Sequence, residues 1–323
     1  MNPAFSVIFF TVLSGAGYGL TLWWATVFIW SLLFPAPYPP PLWWIGPTVE
    51  ALAISLVLMT VGLSSSVLHL GKPQRAWRAF SQWRTSWLSR EGVFSLLVYA
   101  GVALLGVAAM IDDLDKAIGS SLVFISIALI MTCSIATVAC TAMIYASLKP
   151  VPAWRHPLVL PVYLVFALHS GGWIAVALFN VADEPASARM IAIGICCMTT
   201  TVLAAMKIAY WRAIDRIELP SRESATALEG IGKVTVFERP HTEANYLTRE
   251  MGFVLARKHS RKLRAIALLL FAGVPLLALM LAWLLPVAAV FALWVAAVSA
   301  LLGAFVERWL FFAEAKHMVM LYY

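Results

Sequence analysis

Long apolar runs recur along the whole of this 323-residue chain, and they decide what it can fold into. Each is near or above about 20 residues, the length a helix needs to cross a bilayer core of about 30 Å. Hydrophobic residues make up 62% of the chain and charged residues 12%, whereas a soluble domain carries about twice that charge fraction. The expected fold is all-α: a polytopic membrane protein forming one integral membrane domain over residues 1–323.

Eight spans are expected, at roughly 5–34, 47–69, 90–111, 118–147, 157–180, 187–211, 264–285 and 287–312. The last two are separated only by the region of Pro286, and together they are too long for one crossing. The N-terminus has no basic side chain before its apolar run, and that run is too long for a signal-peptide core. It is read as an uncleaved first helix.

The basic residues are unevenly placed. The first loop, the proline-rich 35–41, has none, whereas the second carries Lys72, Arg75, Arg78, Arg84 and Arg90. Apart from Lys116 and Arg189, every lysine and arginine lies in or beside an even-numbered loop or in the tail. The positive-inside rule then places both termini and the even loops in the cytoplasm, as expected for a bacterial inner-membrane protein. The net charge of +7 follows this topology, which argues against a nucleic-acid partner. Tryptophans such as Trp43, Trp44, Trp77, Trp83, Trp87, Trp154, Trp211 and Trp309 fall at the expected boundaries, where amphipathic rings anchor in the interface.

The sixth loop, 212–263, is the one sizeable element outside the bilayer. Ser221-Arg222-Glu223-Ser224 reads as a capped turn, and Lys233-Val234-Thr235-Val236-Phe237 alternates like a short strand. Thr248–His259 reads as an amphipathic helix running along the membrane surface into the seventh span. Such a loop either hugs anionic lipid or docks a soluble partner.

Four cysteines (Cys133, Cys140, Cys196 and Cys197) lie inside apolar segments, without a Cys-x-x-Cys motif. They are read as small buried residues, so the chain is not expected to hold an iron–sulfur cluster by itself. A haem held across two helices needs histidines at matching depth; His169 is central in its span and His69 peripheral. His169, followed by Ser170-Gly171-Gly172, reads instead as a hydrogen-bonded core histidine at a close-packing point.

Ionisable groups in a bilayer are costly and mark candidate sites. Glu50, Glu91, His69, His169, Lys207 and Glu307 are the ones of interest, and none of the carboxylates is near the midplane, which disfavours an ion-coupled transporter. His69 closes the second span and Glu91 opens the third, so both stand at the inner boundary on adjacent helices. An imidazole and a desolvated carboxylate suit a quinone headgroup, which exchanges two protons along with two electrons. The plainer reading has His69 capping its helix, Glu91 pairing with Arg90 or another neighbour, and the arginines meeting lipid phosphates.

The segment His69-Leu70-Gly71-Lys72-Pro73-Gln74-Arg75-Ala76, followed by Ser86-Trp87-Leu88-Ser89-Arg90-Glu91, resembles the eight-span membrane-anchor subunits of DMSO-reductase-type molybdoenzymes, related in architecture to polysulfide-reductase-type quinone-binding anchors. The resemblance implies a quinone- or quinol-binding subunit, for ubiquinone or menaquinone, that exchanges electrons with an iron–sulfur subunit serving a molybdopterin catalytic subunit. It implies no metal or haem in this chain. The family's quinone-site glutamate and loop histidine correspond to Glu91 and His69, with Arg75 and Arg90 beside them, and Tyr246, Arg249, Arg257 and Lys258 are the expected docking residues. The stretch Pro240–Phe253 is similar to the anchors of cytoplasmic sulfite:quinone oxidoreductases more than to the shorter DMSO reductase anchors. The direction of electron flow stays open between sulfite oxidation and reduction of DMSO or another S- or N-oxide. A transporter, or an anchor without a quinone site, remains the alternative.

Overall fold

In hydrocarbon a backbone amide has only its own helix to bond to, and the apolar runs fold accordingly. The structure, a computed structural model, describes residues 4–33, 42–68, 70–112, 116–179, 186–238, 243 and 255–321, with side chains at 4–30, 49–68, 70–111, 118–179, 190–238, 243 and 258–321. Among these residues eight helices are long and apolar enough to cross a membrane: α1 (Phe5–Trp30), α2 (Val49–Val67), α3 (Trp87–Ile111), α4 (Ile118–Ala146), α5 (Val159–Phe179), α6 (Met190–Ile214), α7 (Lys258–Leu284) and α8 (Pro286–Ala313). The expected eight spans are all present. Leu285 leaves the helix at φ −128° and ψ 81°, and Pro286–Ala288 forms the 3-10 turn that starts α8, so the proline does separate two crossings.

Two boundaries differ from expectation in a way that matters. The third helix begins at Trp87, so Glu91 lies about 6 Å along the helix axis rather than at its mouth. The seventh is helical from Leu255, well before the apolar run begins, because its basic first turns continue the same hydrogen-bond ladder.

The bundle is built around α1 and α5. About three quarters of their apolar stretches are buried, against about a quarter for α2, α3, α6 and α7, which turn Val57, Met198 and Leu277 outward as a lipid-facing surface would. Gly19 and Gly171 make the α1–α5 crossing possible. A Cβ on Gly19 would stand 1.8 Å from the Ala167 carbonyl oxygen, and one on Gly171 would stand 2.2 Å from the Leu20 nitrogen. The Trp23 indole donates to the Leu168 carbonyl (3.0 Å) and closes the same contact. This is the small-residue packing of membrane helices, where dispersion replaces the hydrophobic effect.

The turns between α4 and α5, the start of the long loop and the tail meet at one end, called here the basic end. Arg222 Nε donates to the Leu321 carbonyl (2.7 Å) and Met318 N–H to the Pro150 carbonyl (3.0 Å). The expected capped turn is present: the Ser221 hydroxyl accepts from Ser224 N–H (3.1 Å) at the start of the short helix Arg222–Ala225. The expected strand at Lys233–Phe237 is not. The segment has no partner strand among the described residues, and the Val234 N–H is taken by Glu223 Oε1 (2.9 Å). Alternation alone does not make a strand when no ladder is available. Within the expected surface helix, residues 248–254 lie outside the described residues.

Candidate functional site

A small cavity lies among α1, α4, α5 and α8, toward the basic end. Its polar lining is Thr11, Ser14 and Tyr18 from α1, Thr141 from α4, Tyr163 and Ser170 from α5, and Arg308 from α8. The α1 wall contains a π-turn over Phe10–Ser14, a local widening that bulges a helix where it meets a site. Several wall hydroxyls are spent on their own helices: Thr11 donates to the Ile8 carbonyl (3.1 Å), Ser14 to Phe10 (2.6 Å) and Ser170 to Phe166 (2.7 Å). They retain only lone pairs for a ligand.

The donors that remain are larger. Tyr18 Oη, Tyr163 Oη and Arg308 Nη1 are buried, and none has a hydrogen-bond partner among the described residues. The Arg308 guanidinium sits 3.5 Å from the Tyr163 ring centroid, and its Nη1 lies 3.4 Å from Glu307 Oε2, within ion-pair range. An unmatched buried donor carries the full cost of its lost water, so such groups are the exception in folded proteins and call for an acceptor. Arg308 faces Glu307, so the two tyrosine hydroxyls are the unmatched donors in this wall.

Glu91 reaches this cavity through Thr141. The Thr141 Oγ1 contacts Glu91 Oε1 and also lies 3.0 Å from the Thr137 carbonyl. The one hydroxyl donates to the carboxyl and the carbonyl together, and it stands in the cavity wall with Glu91 behind it.

Behind Arg308 lies a buried ion pair between Lys207 Nζ and Glu307 Oε1. Lys207 also stands over the rings of Tyr210 (4.3 Å) and Trp211 (4.8 Å). A smaller cavity of about 170 Å³ is lined by Lys207, Tyr210, Tyr163 and Arg308, so Tyr163 and Arg308 face both cavities. At the basic end, an open cleft of about 710 Å³ is lined by Asp215, Ser260, Arg264, Glu314 and Lys316. There Arg264 donates two hydrogen bonds to Asp215 (2.7 and 2.8 Å) and two to Glu314 (2.9 and 3.2 Å). Hydrogen bonds from Arg264 hold the Asp215 carboxyl below its ordinary range, whereas burial pushes Glu314 up.

The residues named from the sequence are distributed differently. Glu91 is buried at the site. Arg90, its neighbour in the chain, turns back to the loop: Nε donates to the Trp83 carbonyl (3.1 Å), Nη2 donates to the Arg84 carbonyl (2.5 Å), and the guanidinium stacks over Trp87 at 4.4 Å. Arg75 is exposed on a 3-10 helix, Pro73–Gln82, that has no buried residue. Glu91 is thus contacted by Thr141, and the plainer expectation of a pair with Arg90 is not what the geometry gives. His69, Tyr246, Arg249 and the Arg257 side chain lie outside the described residues; Lys258 is exposed. The sequence reading did not single out Tyr18, Thr141, Tyr163 or Arg308. The available signal was ionisable and hydroxylic residues at the basic ends of four separate spans.

His169 is a core histidine, as expected. The Thr200 hydroxyl donates to the Cys196 carbonyl (2.7 Å) and accepts from the Trp173 indole (3.2 Å); His169 Nδ1 is 3.2 Å from the same oxygen. Among the described residues no group of three or more His, Cys, Asp or Glu side chains could hold a metal ion.

The profile of the DMSO reductase anchor subunit family matches residues 1–313. One sulfite dehydrogenase subunit of Allochromatium vinosum is 32% identical over 332 residues, covering all of this chain and 99% of that protein. The anaerobic dimethyl sulfoxide reductase chain YnfH of Escherichia coli is 29% identical over 132 residues, 39% of this chain and 43% of its own length. No solved structure matches the chain. An eight-span bundle with a full-length match of this kind has one reading: the chain belongs to the DMSO reductase anchor subunit family and is the multi-pass membrane anchor of a complex of the DMSO reductase or sulfite dehydrogenase type.

Proposed function

We propose that this anchor binds a quinone in the cavity between α1, α4, α5 and α8 and exchanges electrons there with an iron–sulfur partner subunit, which serves a molybdopterin catalytic subunit. The observation that carries the reading is the pair of buried hydroxyls without partners among the described residues, Tyr18 and Tyr163, with the Arg308 guanidinium beside them, around a cavity that also reaches Glu91 through Thr141. A quinone headgroup offers two carbonyl oxygens and no donor, which is the complement of that set. Its apolar lining, including Val12, Val138 and Phe166, suits a ring.

In this reading Arg308 and Tyr163 donate to a ring oxygen and favour negative charge as it develops there. Glu91 supplies or takes a proton through the Thr141 hydroxyl. The outer helices admit an isoprenoid tail from lipid. His69 and the basic loop beside it remain candidates for the rim of the same site, and Arg249, Arg257, Lys258 and Tyr246 for docking the iron–sulfur subunit at the basic end. That end is proposed to face the cytoplasm, where its lysines and arginines also meet anionic lipid. The full-length similarity to a sulfite dehydrogenase subunit favours electrons arriving from sulfite and leaving as quinol.

The test is photolabelling of the assembled complex with an azido-quinone, followed by peptide mapping. Label on the basic halves of α1, α4, α5 or α8, competed by unlabelled quinone, is expected. Competed label confined to the outer faces of α2, α6 or α7 overturns the assignment. Comparing sulfite oxidation with S-oxide reduction by the purified complex settles the direction.

A further inference from the structure

We propose that the Lys207–Glu307 pair and Tyr163 form the proton route between water at the basic end and the main cavity; this rests on the reading of that cavity as the quinone site.

The route is visible as a sequence of spaces and side chains. The open cleft at Asp215, Arg264 and Glu314 comes first. The Trp211 indole adjoins both, with Arg264 5.6 Å and Lys207 4.8 Å from its ring centroid. Lys207 Nζ then meets Glu307 Oε1, and both side chains are almost fully buried. The smaller cavity adjoins Lys207 and has room for a water molecule. Its far wall is Tyr163, whose hydroxyl has no partner among the described residues and which also lines the main cavity.

A buried ion pair alone is a weak argument for function, because such pairs also occur as structural devices. Two features argue beyond that here. Lys207 lines the smaller cavity, and Tyr163 stands in the wall of that cavity and of the main one. The next polar group, the Tyr163 hydroxyl, can accept a proton from one side and donate one to the other, which Arg308 cannot do because its guanidinium does not deprotonate. Arg308 is then a positioning charge, and Tyr163 is the carrier.

The balance closes. For each quinone reduced, two electrons arrive from the iron–sulfur partner and two protons arrive from water, and both ring oxygens end as hydroxyls. Glu91 with Thr141 lines another wall of the cavity and delivers to one oxygen. Tyr163 delivers to the other and is reprotonated from Lys207–Glu307.

The experiment uses the whole complex with two variants. Tyr163→Phe removes one hydroxyl that has no protein partner among the described residues, so the fold is expected to stand. Lys207→Met with Glu307→Gln removes both charges together, which buried pairs tolerate far better than loss of one partner, and leaves Arg308 an amide oxygen to face. Binding of a short-tail quinone is expected to stay within twofold of wild type in the double variant and to weaken several-fold in Tyr163→Phe, which loses a ring-oxygen donor, so turnover is compared at saturating quinone. Turnover is expected to fall by about tenfold or more, with a larger solvent deuterium isotope effect than wild type. Wild-type turnover and isotope effect in Tyr163→Phe overturn the route even if the double variant fails to assemble. Wild-type complex that binds no quinone overturns the cavity reading instead, so the two failures are distinct.

Discussion

Thr141 stands between Glu91 and the central cavity, with its single hydroxyl proton facing two acceptors, the Glu91 carboxyl and the Thr137 carbonyl. In the proposed function this contact is how the Glu91 proton reaches the cavity. Glu91→Gln keeps a hydrogen-bonding head but removes the titrating proton. Assembly in the membrane is expected to be normal, and quinone-linked turnover is expected to fall by about a hundredfold. Turnover within twofold of wild type would sink the role assigned to Glu91. Thr141→Val, which cuts the same link without touching the carboxyl, is expected to fall in the same direction.

Arg264 tests the basic end. It is the shared partner of Asp215 and Glu314, and its loss leaves two carboxylates facing one cleft. Arg264→Gln is expected to lower stability on the order of 2–3 kcal/mol, read as a drop in the thermal midpoint of the detergent-solubilised protein.

The same cluster has a pH signature. Asp215 is held below its ordinary value of 3.8 by hydrogen bonds from Arg264, so it favours the folded state above that value, and the contribution is lost as pH falls through its lowered value. Glu314 is raised by burial, so it has the opposite sign: its effect favours folding most at low pH and fades as pH rises past its raised value. Asp215→Asn is expected to flatten the acid side of a stability–pH curve, and Glu314→Gln to raise stability near neutral pH relative to acid. Thermal melts across pH 3 to 8 check both signs.

Gly19→Ala is expected to be the most damaging methyl group in the molecule. Its Cβ would meet the Ala167 carbonyl at 1.8 Å, which only separation of α1 from α5 can relieve. A loss of several kcal/mol, or no stable protein, is expected from overpacking of this kind. Gly106→Ala is the control: nothing lies within 4 Å of its Cβ, and a mid-helix alanine is expected to gain roughly 0.5–1 kcal/mol.

Arg90 is expected to act on the loop rather than on Glu91. Arg90→Ala releases the Trp83 and Arg84 carbonyls, so trypsin is expected to cut after Arg84 faster, in proteoliposomes with the basic end outward. Arg90→Lys is expected not to restore protection, because an ammonium lacks the planar fork that bonds two carbonyls while stacking on Trp87.

What the residues disclosed in advance follows a physical line. The eight crossings were legible because bilayer thickness imposes a length on each apolar run, and Pro286 was legible as a break because proline lacks the amide a helix needs. Glu91 stood out as a carboxylate inside oil. Its partner did not, because Thr141 is 50 residues away and helices choose their neighbours by shape. The Lys207–Glu307 pair, 100 residues apart, was hidden for the same reason, although both residues had been noticed singly. The short alternating segment at Lys233–Phe237 misled because alternation records a pattern of side chains and says nothing of a partner ladder.

The α1–α5 crossing also sets a timetable for making the protein. Trp23 and its acceptor Leu168 are 145 residues apart. At about 5–20 residues per second of synthesis, α1 waits in the membrane for roughly 7–30 seconds before the helix it packs against exists. Through that interval it carries hydroxyl groups in hydrocarbon. Four of them, on Thr11, Ser14, Thr21 and Thr26, donate to carbonyls within four residues on α1 itself, whereas the Tyr18 hydroxyl does not. The small hydroxyls are equipped to wait alone, and the lone pairs that later face the cavity are what they leave free.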